Sequence, residues 1–472
     1  MAPFAIRNLT THPIDLVHVE RFEAEKMKQA RNGLSNVTTA ITGFLNATET
    51  IKHQFHPRGD SIRNDDVSVR VEPFQIRPTD IQAADPGKEI VRLTFETEQH
   101  RYQTDVPSPS SKSAVMKKLD DGPHELTVVY IPTDPLIAIF SSAKLNAWMG
   151  ELDDEWPLSV LSIPGTHNSP TCHTALPSVR CQAVGVPQQL RNGVRFLDVR
   201  VSASKDDDVL TLVHSAFPIS LTGSKYFADM LHDIYSFLEE NPSEAIIMSV
   251  KREGTGKASD GQMARYLKHG YLDKQQDRWW VEPKFPTLGQ ARGKIVLVRR
   301  FGLEDEMAEH GYGIDAHEWP DNCEDGVGGS GAFRIQDFYE ISESQNIEKK
   351  IEYSHGQLER AAEQAFALAG MPNYNAEAHP PPFFINFLSA SNFFNATCWP
   401  ERIAAKVNPA IIEYLCGSHG EEGKGRQQLK IGTAGTGIVI TDWVGANDDW
   451  DLIRCIVGMN ARLQMQPQKG EL

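Results

Sequence analysis

From about residue 146 onward, the chain alternates short apolar runs with longer amphipathic ones. The apolar runs are almost continuously hydrophobic, as in strands buried on both faces: PLSVLSI, VRFLDVRV, VLTLVH, AIIMSVK, KIVLVRR, FFINFLS and GIVITD. Segments with helical patterns separate them, such as GSKYFADMLHDIYSFLEEN, which ends at Asn241 before Pro242. Buried strands alternating with helices predict a parallel α/β sheet, and this number of strands favours a closed or nearly closed barrel.

The first part of the chain has a different pattern. Runs of alternating polarity, DLVHVERF, DVSVRVEPF, IVRLTFET, RYQTDV and ELTVVYIP, are separated by polar stretches containing Pro and Gly, which predicts a small antiparallel β-sandwich. Between them, apolar residues from Val37 to Ile51 recur at helical spacing. This segment is interpreted as a helix packed on the sandwich or, alternatively, as a helix at a membrane interface. We predict a β-rich domain at 1–145 and an α/β barrel at 146–472.

Charge and composition limit the classes of partner. The chain has 47 Lys and Arg against 63 Asp and Glu, a net charge of -16, which disfavours binding to nucleic acid and to anionic membranes. The N-terminus lacks a secretory signal pattern, and no apolar run reaches the ~18 residues of a spanning helix. We therefore expect a cytoplasmic protein with peripheral, transient membrane contact. The six cysteines form no C-x-x-C, so reduced thiols are expected, although Cys172 and Cys181 could pair.

Chemically capable side chains lie at or just beyond the ends of most predicted barrel strands. They are His167, Arg200, His214, Lys251, Arg300 and Asp442. Barrel enzymes build their sites at this rim because the loops there converge on one cavity. The two-residue period of a strand also places Asp198 on the same face as Arg200. The sequence therefore predicts one site that contains two imidazoles, a guanidinium and carboxylates.

Two imidazoles and a guanidinium suit the cleavage of a phosphodiester by its own neighbouring hydroxyl. One imidazole takes a proton from the attacking oxygen, the other gives one to the leaving oxygen, and the cation stabilises the phosphoryl charge. Metal chemistry is the alternative, since His167, Asn168 and Asp198 could bind Ca²⁺ or Mg²⁺. However, Arg200 stands where another carboxylate would be needed, so we predict a site that uses no metal ion and no cofactor.

Four motifs closely resemble the X-region of phosphatidylinositol-specific phospholipase C, in its bacterial-type, metal-independent branch: SIPGTHNS, NGVRFLDVRV, LVHSAFP and NPSEAIIMSVKRE. The resemblance continues through ARGKIVLVRRF, IQDFY, FFINFLSAS and GIVITDWVG, from about 150 to 460. It implies an irregular TIM-like (β/α) barrel. It also implies cleavage of phosphatidylinositol, or of its glycan-linked forms, to diacylglycerol and inositol 1,2-cyclic phosphate.

The resemblance also implies roles for individual residues. His167 corresponds to the general base for the inositol 2-hydroxyl, and Asp442 to the carboxylate that orients it. His214 corresponds to the general acid, and Arg200 to the residue on the phosphate. Four further residues match inositol-binding positions: Lys251, Arg300, Asp337 and Tyr339. Structural roles are the alternatives: a surface turn at Asp337 and Tyr339, an ion pair between Lys251 and Glu253, and a helix N-cap at Asp442.

The chain departs from the bacterial pattern after the first histidine. Asn168 replaces an Asp that pairs with the general acid, so we expect an uncharged hydrogen bond there, with Asp198 compensating in part. Ser215 replaces the usual Gly after His214. These changes leave open a catalytically weak or inactive module that binds inositol lipids. Five aromatic residues in predicted loops are expected either to enter the membrane interface or to form a buried lid: Trp319, Phe393, Phe394, Trp399 and Trp443.

Overall fold

The computed structural model describes residues 2–26, 55–108, 112–369, 371, 374–375, 379–421 and 435–465. The helix predicted between Val37 and Ile51 lies outside these residues. The chain divides into two compact units, Met1–Ala143 and Lys144–Leu472. None of the helices in the described part of the chain combines the length and the apolar character that a transmembrane span requires.

The described residues of the first unit form ten strands in two five-stranded sheets. The strands are β1 (Pro3–Leu9), β2 (Ile14–Lys26), β3 (Phe55–Val71), β4 (Ile76–Gln82), β5 (Glu89–Thr97), β6 (His100–Val106), β7 (Ser113–Val115), β8 (Lys117–Lys118), β9 (Thr127–Ile131) and β10 (Leu136–Phe140). Their orders are β4-β1-β10-β9-β7 and β3-β2-β5-β6-β8. Both sheets contribute to one hydrophobic cluster, with Ile6 and Ile137 from the first and Leu16 and Phe95 from the second.

The predicted β-rich character of this unit is observed, and a sandwich stays a prediction. The expectation of a purely antiparallel arrangement is wrong, because β1 pairs with β10 in parallel. A parallel pair needs a long connection between its strands. Here the connection between β1 and β10 contains all the strands from β2 to β9, so the local polarity pattern of β1 could not predict its parallel pairing.

The second unit has a mixed α/β architecture around one curled sheet. Its strands are β11 (Ile163–Thr166), β12 (Phe196–Ala203), β13 (Leu210–His214), β14 (Phe217–Pro218), β15 (Ile246–Arg252), β16 (Trp279–Trp280), β17 (Ile295–Arg300), β18 (Ile314–Asp315), β19 (Gly326–Gly328), β20 (Phe333–Gln336), β21 (Phe383–Phe387) and β22 (Ile438–Thr441). The main path is β16-β17-β15-β12-β11-β22-β21-β20-β19, and β13, β14 and β18 branch from it.

Two details of the predicted barrel differ from the structure. Among the described residues, β16 and β19 end the sheet without pairing with each other, so the sheet is open, and these end strands are only two and three residues long. The run VLTLVH was expected to be a parallel barrel strand, but it forms β13, which pairs antiparallel with β12. Only residues Ser204 to Val209 connect the two strands, which is too short for a parallel crossover.

The helices of this unit are α1 (Val186–Arg191), α2 (Phe227–Glu240), α3 (Asp260–Arg265), α4 (Leu288–Ala291), α5 (Asp305–His310), α6 (Ile347–Ala362), α7 (Pro400–Gly417), α8 (Asp451–Gly458) and α9 (Ala461–Gln464). Helix α2 buries one apolar face, including Met230, Ile234 and Phe237, and ends where Pro242 was predicted to stop it. The helices and the sheet share one large hydrophobic core.

The register of the parallel strands determines which side chains meet at the rim. Thr166 at the end of β11 pairs with Thr441 at the end of β22. Farther along the sheet, Lys251 of β15 lies between Arg200 of β12 and Arg300 of β17. Residues just beyond these strand ends therefore emerge next to one another.

Candidate active site

His167 and Asp442 lie side by side because they follow adjacent parallel strands. The backbone N–H of His167 donates to the carbonyl oxygen of Thr441 at 2.9 Å, which extends the strand pairing by one residue. Oδ1 of Asp442 is 3.0 Å from Nδ1 of His167. Asp442 does not cap a helix, since the next helical turn begins at Ala446 and is preceded by Gly445. The N-cap alternative for Asp442 is therefore wrong.

Hydrogen bonds on both ring nitrogens define the tautomer of His167. The side-chain nitrogen of Asn168 is 3.2 Å from Nε2 of His167, and an amide N–H can only donate. Nε2 therefore accepts, and Nδ1 carries the proton that is donated to Asp442. Burial disfavours the charged ring, but Asp442 and Cys181 together raise the pKa of His167 to about 10. Nε2 is thus the basic nitrogen of the unprotonated ring, and the Asn168 amide is its hydrogen-bond donor.

His214, at the end of β13, faces His167 across the same site. The ring centroids are 5.8 Å apart and the rings are perpendicular, at 89°. Nδ1 of His214 lies 2.9 Å from the carbonyl oxygen of Val179 and 3.7 Å from Sγ of Cys181. Since the carbonyl can only accept, it holds a proton on Nδ1, and Nε2 is left for proton exchange with a ligand.

The expected contact between Asn168 and His214 is wrong. Asn168 has a left-handed φ of 43°, its backbone N–H donates to Oδ2 of Asp198, and its amide turns toward His167. Asp198 does not compensate, because its own partner is Arg200. Among the described residues, His214 is therefore supported by a carbonyl and a thiol where the bacterial pattern has a carboxylate.

Arg200 is held in place by two carboxylates. Its Nη2 is 3.0 Å from Oδ2 of Asp198, and its Nη1 is 3.1 Å from Oε1 of Glu253. Glu253 also pairs with Nζ of Lys251 at 3.0 Å, so the ion pair considered as an alternative is present. Burial opposes charge on these groups, but their mutual attraction outweighs it, raising the pKa of Arg200 and lowering that of Glu253 to about 2. Arg200 is therefore a fixed cation at the site.

The loop after His214 is attached to this cluster. The backbone N–H of Ser215 donates to Oε2 of Glu253 at 2.9 Å. Ser215 has a positive φ of 53°, a conformation that favours glycine. This backbone conformation gives a physical reason for the glycine of the bacterial pattern. In this chain Ser215 adopts the same conformation with a strained backbone.

The remaining predicted residues line the side of the site formed by β17 and β20. Arg300 stacks on Trp319, with Cζ 3.5 Å from the ring centroid, and burial lowers its pKa to about 10. Asp337 follows β20, and burial raises its pKa although Arg300 and Arg200 act in the opposite direction. The hydroxyl of Tyr339 donates to Oδ1 of Asp321 at 2.9 Å. Asp337 thus shares the electrostatic environment of Arg200, while Tyr339 already has an acidic partner.

The family model of the phosphatidylinositol-specific phospholipase C X domain matches residues 155–301, which contain both histidines and Arg200. Residues 155–301 of the chain are thus similar to the X domain of this family. The predicted resemblance is therefore confirmed, and the matched X domain is the part of the chain that carries most of the site.

Relatives and solved structures agree with this assignment. A 1-phosphatidylinositol phosphodiesterase of Staphylococcus aureus is 26% identical over 314 residues, covering 63% of this chain and 88% of that protein. Its namesake from Listeria monocytogenes is 33% identical over 168 residues, covering 34% and 50%. The structure of a mutant of the phosphatidylinositol-specific phospholipase C from S. aureus has a TM-score of 0.51 at 23% identity, covering 67% of this chain and 98% of that one, which shows a shared fold.

The five aromatic residues predicted to lie in loops near the site divide into two groups. Trp319 packs on Arg300, Trp443 lies under the guanidinium of Arg180, and Trp399 is half-buried. Phe393 and Phe394 are 44% and 95% exposed. The membrane-facing interpretation therefore fits only these two phenylalanines.

Phe217 is an exposed aromatic residue that the sequence patterns did not single out. It stacks on Phe393 with ring centroids 5.9 Å apart and nearly parallel planes, and it is 37% exposed. In the β13–β14 hairpin Phe217 is the cross-strand partner of His214. The motif LVHSAFP contains both residues, but only the hairpin pairing brings them together.

The loop between β11 and α1 supplies two residues that sequence patterns also missed. The side-chain nitrogen of Gln182 donates to the carbonyl oxygens of His167 and Thr441, at 2.7 and 2.9 Å, and so fixes the base side of the site. Cys181 and Cys172 are free thiols, and Cys181 is fully buried against His214. Burial disfavours its thiolate, but the two imidazoles lower the pKa of Cys181 to about 7. Neither residue belongs to a periodic pattern that would have indicated it.

Proposed function

We propose that this protein cleaves phosphatidylinositol, or glycosyl-phosphatidylinositol, to diacylglycerol and inositol 1,2-cyclic phosphate without a metal ion. The main support is the pair of perpendicular imidazoles, with centroids 5.8 Å apart and with Nδ1 of each ring held by an oxygen acceptor of the protein. Phosphoryl transfer to a neighbouring hydroxyl requires such a base and acid on opposite sides of one phosphorus atom. The related phosphodiesterases support the same class of substrate.

In this mechanism His167 is the general base. Its Nε2 accepts the proton of the inositol 2-hydroxyl, and the 2-oxygen attacks the phosphorus. Asp442 stabilises the imidazolium through Nδ1, at 3.0 Å. As the bond from phosphorus to the diacylglycerol oxygen breaks, Nε2 of His214 delivers a proton to that oxygen. Hydrolysis of the cyclic phosphate follows more slowly, with the two roles exchanged.

Arg200 stabilises the charge on the phosphoryl oxygens. Its two carboxylate partners hold it without consuming all of its donors, and its Nε is buried with no hydrogen-bond partner. We assign to this guanidinium the part that a divalent cation would otherwise play. Because Arg200 already supplies this positive charge, the proposed reaction needs no metal ion.

The inositol ring is assigned to Lys251, Arg300, Asp337 and Tyr339. Several buried polar atoms of this region, in the described part of the chain, lack hydrogen-bond partners, which is costly unless a ligand satisfies them. They include Oδ1 of Asn168 and Oδ2 of Asp442, whereas Oδ1 of Asp198 and Nη1 of Arg300 form an ion pair with each other at 3.7 Å, too long for a hydrogen bond. A polyol matches such a set of donors and acceptors. Phe393 and Phe394 would make the peripheral, transient contact with the lipid surface.

The test is release of water-soluble inositol phosphate from vesicles containing labelled phosphatidylinositol, with EDTA present. We expect turnover in EDTA and its loss in His167→Ala and in His214→Ala. His232→Ala changes an exposed histidine of α2 and serves as the matched control. Near-normal turnover in either active-site variant would contradict the assigned roles, and loss of wild-type turnover in EDTA would contradict metal independence.

A catalytically weak module that binds inositol lipids is the second candidate. It is favoured by one observation, namely that His214 is supported by Val179 and Cys181 rather than by a carboxylate. Retained vesicle binding without release of inositol phosphate in the same assay would support this candidate over the enzyme.

A further inference from the structure

The proposed reaction gives no role to the thiol of Cys181. Its side chain is fully buried, yet Sγ is 3.7 Å from Nδ1 of His214. Sγ and one ring nitrogen from each of His167 and His214 all lie within 4.8 Å of one another. A thiol and two imidazoles that converge in this way are a soft donor set.

The separations of these atoms approach those around a tetrahedral zinc ion. Zinc binds sulfur at about 2.3 Å and imidazole nitrogen at about 2.0–2.1 Å, so a sulfur and a nitrogen on one ion are about 3.5 Å apart. The observed distance between Cys181 and His214 is 3.7 Å. The other separations need to shorten by about 1.4 Å at most to reach the same geometry.

The groups around the donors also suit a dication. Asp442 holds Nδ1 of His167, which is the carboxylate–histidine arrangement found behind metal ligands, so the ligand atom is Nε2, whose present partner is the Asn168 amide. The nearby cation Arg200 is already paired with Asp198 and Glu253. A Cys181 thiolate and the Asp442 carboxylate together balance two positive charges.

We propose that zinc binds Cys181, His167 and His214 and thereby reversibly inhibits the X domain. The binding is independent of the proposed function, and the inhibition rests on it. As the sulfur–zinc bond forms, the thiol proton leaves to solvent. At His167, the proton that Nε2 carries in the charged ring leaves to solvent, and the bond to zinc replaces the contact with Asn168, so this nitrogen cannot accept the proton of the attacking hydroxyl. At His214, the proton on Nδ1 moves to Nε2 by way of solvent, and the bond from Nδ1 to zinc replaces the hydrogen bond to Val179.

Binding is tested with Co²⁺, which replaces zinc and gives a charge-transfer absorption band when a thiolate is its ligand. We expect the full-length protein, after treatment with EDTA, to develop this band and to lose it when zinc is added. Cys181→Ser keeps the shape of the side chain but removes the sulfur, so the band should disappear. A band that persists in this variant, or no band in the wild type, would overturn the proposal.

A second group of donors in the chain provides a control. His12, Glu98 and His124 also place ligand atoms within 4.8 Å of one another, but this group contains no thiol. His12→Ala should therefore leave the charge-transfer band unchanged. If the band is lost in His12→Ala and retained in Cys181→Ser, the metal binds at the wrong site for the proposal.

Inhibition is measured as turnover at buffered zinc concentrations, relative to each variant's own turnover in EDTA. The wild type should lose turnover as zinc is added and regain it when EDTA is added. Inhibition of Cys181→Ser should need a zinc concentration at least about 10-fold higher. Equal sensitivity of the two proteins would refute the inhibitory site. A cobalt band without any turnover in EDTA would instead refute the proposed function and leave the metal site standing.

Discussion

The substitution Asn168→Asp tests whether the side chain of residue 168 acts on His214 or on His167. The resemblance to the bacterial enzymes predicts that a carboxylate here would support the general acid and raise turnover. In the structure, however, the amide nitrogen is 3.2 Å from Nε2 of His167, and His214 has other partners. The structure therefore predicts that the same substitution lowers turnover.

The magnitude follows from the position of the new charge. A carboxylate 3.2 Å from the imidazolium of His167 attracts it by about 5 kcal/mol at an effective dielectric constant of about 20, which corresponds to almost 4 pKa units. Burial of the new carboxylate offsets a large part of this. A remaining increase of about one to two units, added to a pKa already raised to about 10, would reduce the unprotonated base about 10- to 100-fold at neutral pH.

The assay is turnover on phosphatidylinositol vesicles as a function of pH. Because the base must be unprotonated, turnover rises as the pH rises through the pKa of His167, and this limb should move to higher pH in Asn168→Asp. Both side chains tolerate the left-handed φ of 43° at this position, so the backbone is equally strained in both proteins. Asn64→Asp adds the same charge at an exposed position of β3 as a control. Unchanged or higher turnover at pH 7, with an unshifted limb, would refute the reasoning.

Three further substitutions test other parts of the molecule. Arg200→Lys keeps the charge, but a lysine cannot bridge two carboxylates as the guanidinium does. We therefore expect the rate of the chemical step, measured in single-turnover experiments, to fall about 10²- to 10³-fold. A decrease of less than about 3-fold would contradict the assigned role. Phe394→Ala removes a ring that is 95% exposed and should weaken binding to vesicles in a sedimentation assay. Ile62→Ala, which changes a side chain that is 58% exposed, should leave vesicle binding unchanged. Equal effects of the two substitutions would argue against a membrane-facing role for Phe394. Lys350 of α6 is fully buried, and this burial lowers its pKa to about 7. The unfolded chain holds the same proton up to about pH 10.4, so the free energy of unfolding in urea should rise between pH 7 and pH 9. Lys350→Met should lack this rise, and an identical pH dependence in both proteins would show that Lys350 is not the source.

The sequence was most informative where the chemistry lies at the ends of regular parallel strands. His167 and Asp442 could be placed together because each follows an apolar run of the buried kind, and strands of this kind end at one rim. Asp198 and Arg200 could be placed on one face because the period of a strand is two. These inferences need only local periodicity and one general rule about parallel sheets.

The features that were missed depend on contacts between distant segments or on single backbone angles. The run that forms β13 has the same composition as a parallel strand, and only the short connection to β12 makes it antiparallel. The direction of the Asn168 side chain depends on a left-handed φ that no residue pattern specifies. Cys181 lies in an irregular loop, where neither period nor spacing indicates that its thiol reaches His214.

The β13–β14 hairpin gives the two imidazoles unequal mechanical support. His167 is anchored to the parallel sheet through Thr441, whereas His214 sits on a branch whose other strand displays Phe217 to the outside. Under the proposed function, in which the protein settles on lipid and His214 donates the proton, a displacement of Phe217 would reach the donating ring across one residue pair. The hairpin would then act as a two-stranded lever through which adsorption adjusts the rate of bond cleavage.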